Sequence, residues 1–303
     1  MHNNTPKRVL IVGCGYVGMA LGRHLASDGH VVFGLRRSQA GHEAMEAAGI
    51  RPVMGDITRA DDLRQLPGPF NWVVNLVSSS RGGTTEYRDV YVGGMRNLMK
   101  AVAGDDLQKF VYTSSTSVYS QCDGSTVDEN SSVVAQSETS QSLIDAEMQL
   151  LQAVPESQFP AVTLRASGIY GPGRGHLFRQ FIAGEAHRIG DSSRWLNMIH
   201  RDDLVGAIVA ALERGVPGER YNATDDCPVT ELEFFEWLVR ELGMPMPAVG
   251  GADIVSRRKR ALTSKRVLNG KLRAIGWQLR YPSYREGYAE DVKRALDRLE
   301  SRP

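Results

Sequence analysis

Three glycines in the order Gly13-Cys14-Gly15-Tyr16-Val17-Gly18 stand between an apolar run at 8–12 and a helical pattern that begins near Tyr16. At this spacing Gly13 permits a tight turn and Gly15 lets the backbone approach a pyrophosphate. Gly18 lets the helix pack closely on the strand. The first turn of the helix then offers free N–H groups and the positive end of its dipole to the phosphates. Glycines used only for close packing would leave the same letters. The strand-to-helix context predicts a dinucleotide site built on Gly13, Cys14, Gly15, Tyr16, Val17 and Gly18.

The second strand ends "GLRRS". An acidic residue there would bond the ribose 2′-hydroxyl of NAD. Arg36 and Arg37 stand there instead, and a guanidinium suits a 2′-phosphate and can stack on adenine. The cofactor expected is NADP, with NAD as the alternative if both arginines are only surface cations. Asp56, in "GDI" after the third strand, is placed to meet the adenine edge or to cap the next helix. Leu76 and Val77, at the end of "NWVVNLV", complete the expected cofactor set.

The elements that would position these residues alternate regularly. Strands are expected at 8–12, 30–35, 51–56, 71–77, 109–115 and 161–167. Helical periodicity fills the intervals, including 87–103 and 141–153. Strand, helix, strand in this order means parallel pairing with right-handed crossovers. Past Gly168 the pattern breaks at "YGPGRG". Helices follow at 202–215, at 230–243 with a threonine cap and a glycine stop, and at 285–299. The fold class expected is α/β: a Rossmann-type doubly wound parallel sheet with a smaller C-terminal α/β domain covering the substrate. Residues 1–167 form the nucleotide domain, its sheet completed by segments near 195–225. Residues 168–303 form the smaller region.

Composition narrows the function. The net charge is +1 over 303 residues, which gives no electrostatic case for nucleic acid or an anionic membrane. The run Arg257, Arg258, Lys259, Arg260 is short enough to be a solvated face. Three widely spaced cysteines have neither metal-ligand spacing nor a disulfide framework, so no metal is expected. The polar start "MHNNTPKR" leads into a strand, and no apolar run is long enough to span a bilayer. The expected compartment is the cytoplasm.

The motif order resembles the extended and atypical short-chain dehydrogenase/reductase superfamily, as an NAD-dependent epimerase/dehydratase-like protein. The resemblance rests on "GDI" at 55–57, "YVGGMRNLMKA" at 91–101, "KFVYTSSTSVYS" at 109–120, "LRASGIYGPGR" at 164–174, "MIHRDDLVGAI" at 198–208 and "RYNATDD" at 220–226. It implies that Ser115, four residues before Tyr119, bonds a substrate oxygen. In a run of five hydroxyl residues from Thr113, some must instead bond backbone. It also implies a Tyr-x-x-x-Lys pair on the helix near 141–153. Aligning "DAE" at 145–147 puts Thr139 and Leu143 at those positions. There is no lysine between Lys109 and Lys259 and no tyrosine between Tyr119 and Tyr170, so no shift restores the pair. The glycine loop is also one residue shorter between its first two glycines than in the extended members.

Candidates to replace the pair are Tyr119, Tyr170 and His176. His200 and an anion-clamping Arg174 are further candidates, and Asp203 is expected to cap a helix. The resemblance implies an oxidoreductase or isomerase of non-standard mechanism on a small or sugar-like substrate. The alternative is a catalytically inactive dinucleotide-binding sensor or partner protein. The helices 86–103 and 138–153 resemble a dimer-forming pair, and Leu143, Leu150 and Leu151 suggest a homodimer.

Overall fold

The computed structural model describes residues 5–78, 83–251 and 263–300. The basic run at 257–260 lies outside them. The strands are β1 Arg8–Val12, β2 Val31–Arg36, β3 Ile50–Met54, β4 Trp72–Asn75, β5 Lys109–Ser115, β6 Thr126–Val127, β7 Ala161–Ala166, β8 Gly168–Tyr170, β9 Trp195–Leu196, β10 Met198–His200, β11 Arg220–Ala223, β12 Val229–Thr230 and β13 Arg266–Val267. Seven of them form one sheet in the order β11-β7-β5-β4-β1-β2-β3. β1 pairs in parallel with β2 and β4, β2 with β3, and β4 with β5. Strand order reverses between β1 and β4, the switch point at which a doubly wound sheet opens a crevice. Val9, Leu10, Ile11 and Val12 are at most 1% exposed, as a strand covered on both faces must be.

Two compact units divide the chain. One comprises 1–118, 133–165 and 207–221; the other comprises 119–132, 166–206 and 222–303. In the first unit, the helical stretch expected over 87–103 is interrupted. Helix Thr84–Arg88 passes through a π-helical turn, Asp89–Gly93, into helix Gly94–Val102. The π-helical turn is only five residues long, shorter than the window over which a hydrophobic period is read, so periodicity does not reveal it. Helix Glu138–Ser157 runs farther than 141–153 in both directions. Ser137 and Ser140 cap its start reciprocally, and Pro155 is accommodated before the chain turns at Gln158. Leu143 and Leu150 are 4% and 1% exposed within the single chain. They belong to its own core and give no argument for a second copy.

The second unit packs around rings. Tyr170, Phe178, Phe234, Phe235, Trp237, Tyr284 and Tyr288 form one buried cluster. Helix Glu231–Leu242 starts on Thr230 in a capping box with Glu233 and stops at Gly243, as its sequence indicates. No described helix is long and apolar enough to cross a membrane. Among the described residues no group of three or more His, Cys, Asp or Glu is arranged to hold a metal.

Candidate functional site

The first unit gathers most of the expected cofactor residues at the carboxyl ends of β1, β2 and β4. After Val12 the chain turns at Gly13, whose φ of +80° is left-handed. The Gly13 and Cys14 N–H groups donate to the Leu35 carbonyl at 3.1 and 3.2 Å, tying the loop to β2. A Cβ at Gly13 would lie 2.9 Å from the Val77 nitrogen, so only glycine lets this loop meet the end of β4. A Cβ at Gly18 would lie 3.1 Å from both the Gly13 oxygen and Ile11 Cγ2, which is the close helix-to-strand packing the spacing requires. Helix Tyr16–Ser27 follows, and the Met19 N–H is bonded to the Gly15 carbonyl. The N–H groups of Val17 and Gly18 fall in the first turn, where an α-helix supplies no acceptor.

Cys14 enters this loop through its backbone. Its side chain is fully buried, and desolvation pushes the thiol up to about 11, opposed by the nearby Arg36. Leu76 extends the β1–β4 pairing through its N–H to the Val12 carbonyl, 2.8 Å. The Val77 N–H donates to the Asn75 side chain at 3.1 Å. Arg36 ends β2 half-buried, its carbonyl accepting from Gly55, while Arg37 is exposed. Asp56 accepts from the Thr58 N–H and hydroxyl at 2.9 and 2.8 Å. It therefore organises its own turn with one oxygen, and the short helix Ala60–Leu63 has Arg59, not Asp56, at its N-cap.

The end of β5 carries Ser114 and Ser115. Ser115 is half-buried, and its hydroxyl oxygen accepts from the Ser117 N–H at 3.1 Å. The Ser114 hydroxyl points inward and donates to Glu147 at 2.6 Å. Glu147, on helix Glu138–Ser157, also pairs with Arg165 of β7, whose nitrogens reach its two oxygens at 2.6–3.2 Å. Both ionic side chains are buried, at 6% and 1% exposure. Sequence reasoning missed this clamp, although an arginine inside the apolar run "AVTLRAS" signals a buried partner. On the same helix the Thr139 hydroxyl lies 2.8 Å from that of Ser137.

The remaining candidates belong to the second unit. Tyr119 is fully buried and its hydroxyl donates to Asn222 at 2.8 Å. Tyr170 is also buried; it stacks on Tyr288 with ring centroids 4.3 Å apart and donates to the Ser283 carbonyl at 3.3 Å. Burial, reinforced by Asp225, pushes its phenol far above the ordinary range. His176 begins helix His176–Ile182 and is exposed, as is Arg174 in the preceding turn. His200 is buried against Tyr170 and Tyr281, and its Nδ1 accepts the Asp202 N–H at 3.2 Å. Desolvation lowers its pKa, which favours the neutral ring. Asp203 does not cap its own helix. Its carboxylate accepts from the Arg280 and Tyr281 N–H groups at 2.6 and 3.0 Å and holds a turn 77 residues away.

Asp225 is a buried acid that sequence reasoning also missed. It is 1% exposed, one oxygen accepts from the Cys227 N–H, and the other has no partner. Desolvation, with Asp226, Asp203 and Glu286 nearby, raises its pKa to about 8. The folded state therefore binds this proton more tightly than the unfolded chain, where an aspartate titrates near ~3.9. Its contribution is intact at low pH, declines as pH rises through that window, and is lost above about 8. Asp225→Asn should flatten the decline, so that the variant is more stable than the parent at pH 8.5. Denaturant melts of both proteins across this window check it; parallel curves would refute it.

A seven-stranded sheet with its glycine loop at the switch point defines a dinucleotide-fold protein. The chain belongs to the NAD dependent epimerase/dehydratase family, whose model matches residues 9–224. The protein YeeZ of Escherichia coli K12 is 28% identical over 281 residues, covering 91% of this chain and 97% of YeeZ. A Methylobacillus flagellatus structure, whose assignment as an NAD-dependent epimerase/dehydratase is provisional, is 31% identical. It covers 98% of this chain and 100% of its own, with a TM-score of 0.76. The dTDP-glucose 4,6-dehydratase of Streptomyces venezuelae, solved with NAD bound, has a TM-score of 0.81 at 20% identity and covers 96% and 97% of the two chains. At that identity the likeness is one of fold.

Proposed function

We propose that this chain is an NADP(H)-binding oxidoreductase or isomerase of non-standard mechanism, acting on a small or sugar-like substrate. The observation that carries the cofactor choice is Arg36 at the carboxyl end of β2, beside the glycine loop, where recognition of NAD calls for a carboxylate. Gly13, Gly15 and the first turn of helix Tyr16–Ser27 would hold the pyrophosphate. Arg36 and Arg37 would hold the 2′-phosphate, Asp56 the adenine edge, and Leu76 and Val77 the wall beyond β4. A bound nicotinamide supplies or accepts a hydride.

The chain's own contribution is orientation and proton handling. Leu143 is buried and apolar, and Thr139 is an alcohol, so helix Glu138–Ser157 offers no phenol and no ammonium. The Ser115 hydroxyl accepts from backbone yet keeps its own proton to donate to a substrate oxygen. His176 is the exposed titratable group among the candidates. Tyr119 and Tyr170 are buried and hydrogen-bonded, which suits them to shaping the second unit.

The test is a pair of titrations. NADPH should bind at least about tenfold more tightly than NADH, the worth of a charge-assisted contact. Arg36→Asp should reduce or reverse that preference. Equal affinities in the parent would defeat the cofactor assignment. NADPH binding with no consumption across a panel of carbonyl and nucleotide-sugar substrates would instead identify a dinucleotide sensor.

A further inference from the structure

Arg36 is half-buried at the end of β2, and among the described residues its guanidinium has neither an ion pair nor a hydrogen bond. What the guanidinium does meet is Gly41. A Cβ built at Gly41 would lie 2.5 Å from Arg36 Nη1 and 3.6 Å from Arg36 Cζ. Beyond the two chain neighbours, no other described side chain comes within 4 Å of that position. Gly41 opens helix His42–Ala47 with a left-handed φ of +86°. That helix is fixed to β2 through Met45, which is fully buried. A Cβ at Gly34 of β2 would overlap the Met45 methyl and lie 2.9 Å from Cys14 Sγ. The Met45 N–H bonds the Gly41 carbonyl at 3.1 Å. One methionine thus holds the Gly41 turn beside the end of β2, and all of these residues belong to the first unit.

A left-handed turn does not by itself demand glycine, because asparagine also adopts this φ. What any Cβ here would displace is the Arg36 guanidinium. An arginine side chain has several rotatable bonds to freeze when it meets an anion. A guanidinium already resting against backbone, with no carboxylate to give up, loses less on binding. We infer that Gly41 is a positioning residue that sets the preference for NADPH over NADH. Its missing side chain leaves the seat in which the Arg36 guanidinium is held for the 2′-phosphate. The inference deepens the NADP(H) reading proposed above and rests on it.

The test is fluorescence titration of the full chain with NADPH and with NADH. Gly41→Ala should weaken NADPH binding at least about fivefold, part of the worth of a charge-assisted contact, and leave NADH within about twofold. Gly29→Ala is the matched control. Gly29 is exposed between helix Tyr16–Ser27 and β2, its φ is +85°, and a Cβ there meets nothing within 4 Å. Alanine carries the same backbone strain at both positions, yet Gly29→Ala should keep the parent's selectivity. In an Arg36→Met background, Gly41→Ala should change NADPH affinity by less than about twofold, because no guanidinium is left to displace. Thermal melts establish folding. Should Gly41→Ala fail to fold, Gly41→Asn, which tolerates the left-handed φ, takes its place. An NADPH preference that survives Arg36→Met, or one that Gly41→Ala leaves intact, would overturn the inference while the cofactor reading stands. So would a loss of selectivity in Gly29→Ala, or an undiminished effect of Gly41→Ala in the Arg36→Met background. Equal affinities for the two cofactors in the parent would remove the cofactor reading and the inference with it.

Discussion

Arg165→Met should destabilise the protein by about 3–5 kcal/mol, the usual effect of removing one member of a buried ion pair. The variant strands the Glu147 carboxylate, 6% exposed, with the Ser114 hydroxyl still donating to it. Ser114, Glu147 and Arg165 join β5, helix Glu138–Ser157 and β7, so the loss falls on the contact that holds that helix to the sheet. The double variant Glu147→Met, Arg165→Met should recover much of the loss, because neither charge is then buried alone. Urea melts of the parent, the single variant and the double variant measure both steps. A single-variant loss below about 1 kcal/mol, ordinary for a surface change, would show that water reaches the pair.

Gly13→Ala and Gly15→Ala should separate folding from cofactor binding. Alanine at Gly13 must adopt a φ of +80°, at a cost of about 1–2 kcal/mol, while its Cβ presses on the Val77 nitrogen and the Leu76 carbonyl carbon. Those are backbone atoms at the end of β4 and cannot turn aside. Gly13→Ala should therefore lose both stability and NADPH affinity, the latter about a hundredfold, or ~2.7 kcal/mol. A Cβ at Gly15 meets nothing nearer than the Gly13 oxygen at 3.9 Å, so Gly15→Ala should melt like the parent. It should nevertheless bind NADPH at least about tenfold more weakly, because the added methyl occupies the approach to the pyrophosphate. Fluorescence titration with NADPH, paired with thermal melts, checks both variants. Unaltered affinity in Gly15→Ala would place the cofactor phosphates elsewhere.

The parts legible from the residue order are those that depend on near neighbours. β5 matches the expected 109–115, and β1 the expected 8–12. The helix at 231–242 is bounded by the Thr230 and Gly243 signals. In each case, burial periodicity, a cap or a turn residue acts over one or two turns of chain, so a short window contains the whole physical cause. The glycine spacing likewise carries its own geometric demand, and the alternation of strands with helices carries the parallel pairing of the sheet. The π-helical turn at 89–93 was not visible, because it is shorter than the window over which a hydrophobic period is read. The apolar face of helix Glu138–Ser157 was legible, but its use was not. A hydrophobic stripe looks the same whether its own sheet or another chain covers it.

By itself, the amino-acid order determined the alternation of strands and helices, the glycine loop between β1 and its helix, and the two arginines that end "GLRR". Only the tertiary structure decided which polar groups are buried together. Arg165 meets Glu147 across 18 residues, Tyr119 meets Asn222 across 103, and Lys265 meets the Tyr119 carbonyl across 146. Burial makes an unpaired polar atom costly, so such pairs are strongly specified once the chain is folded. No local rule predicts them, because the partner's position depends on the path of all the intervening elements. The same reason explains why Tyr119 and Tyr170, plausible acids as letters, are enclosed and hydrogen-bonded in the fold. It also explains why the buried Asp225 and Lys265, ordinary as letters, have strongly shifted protonation.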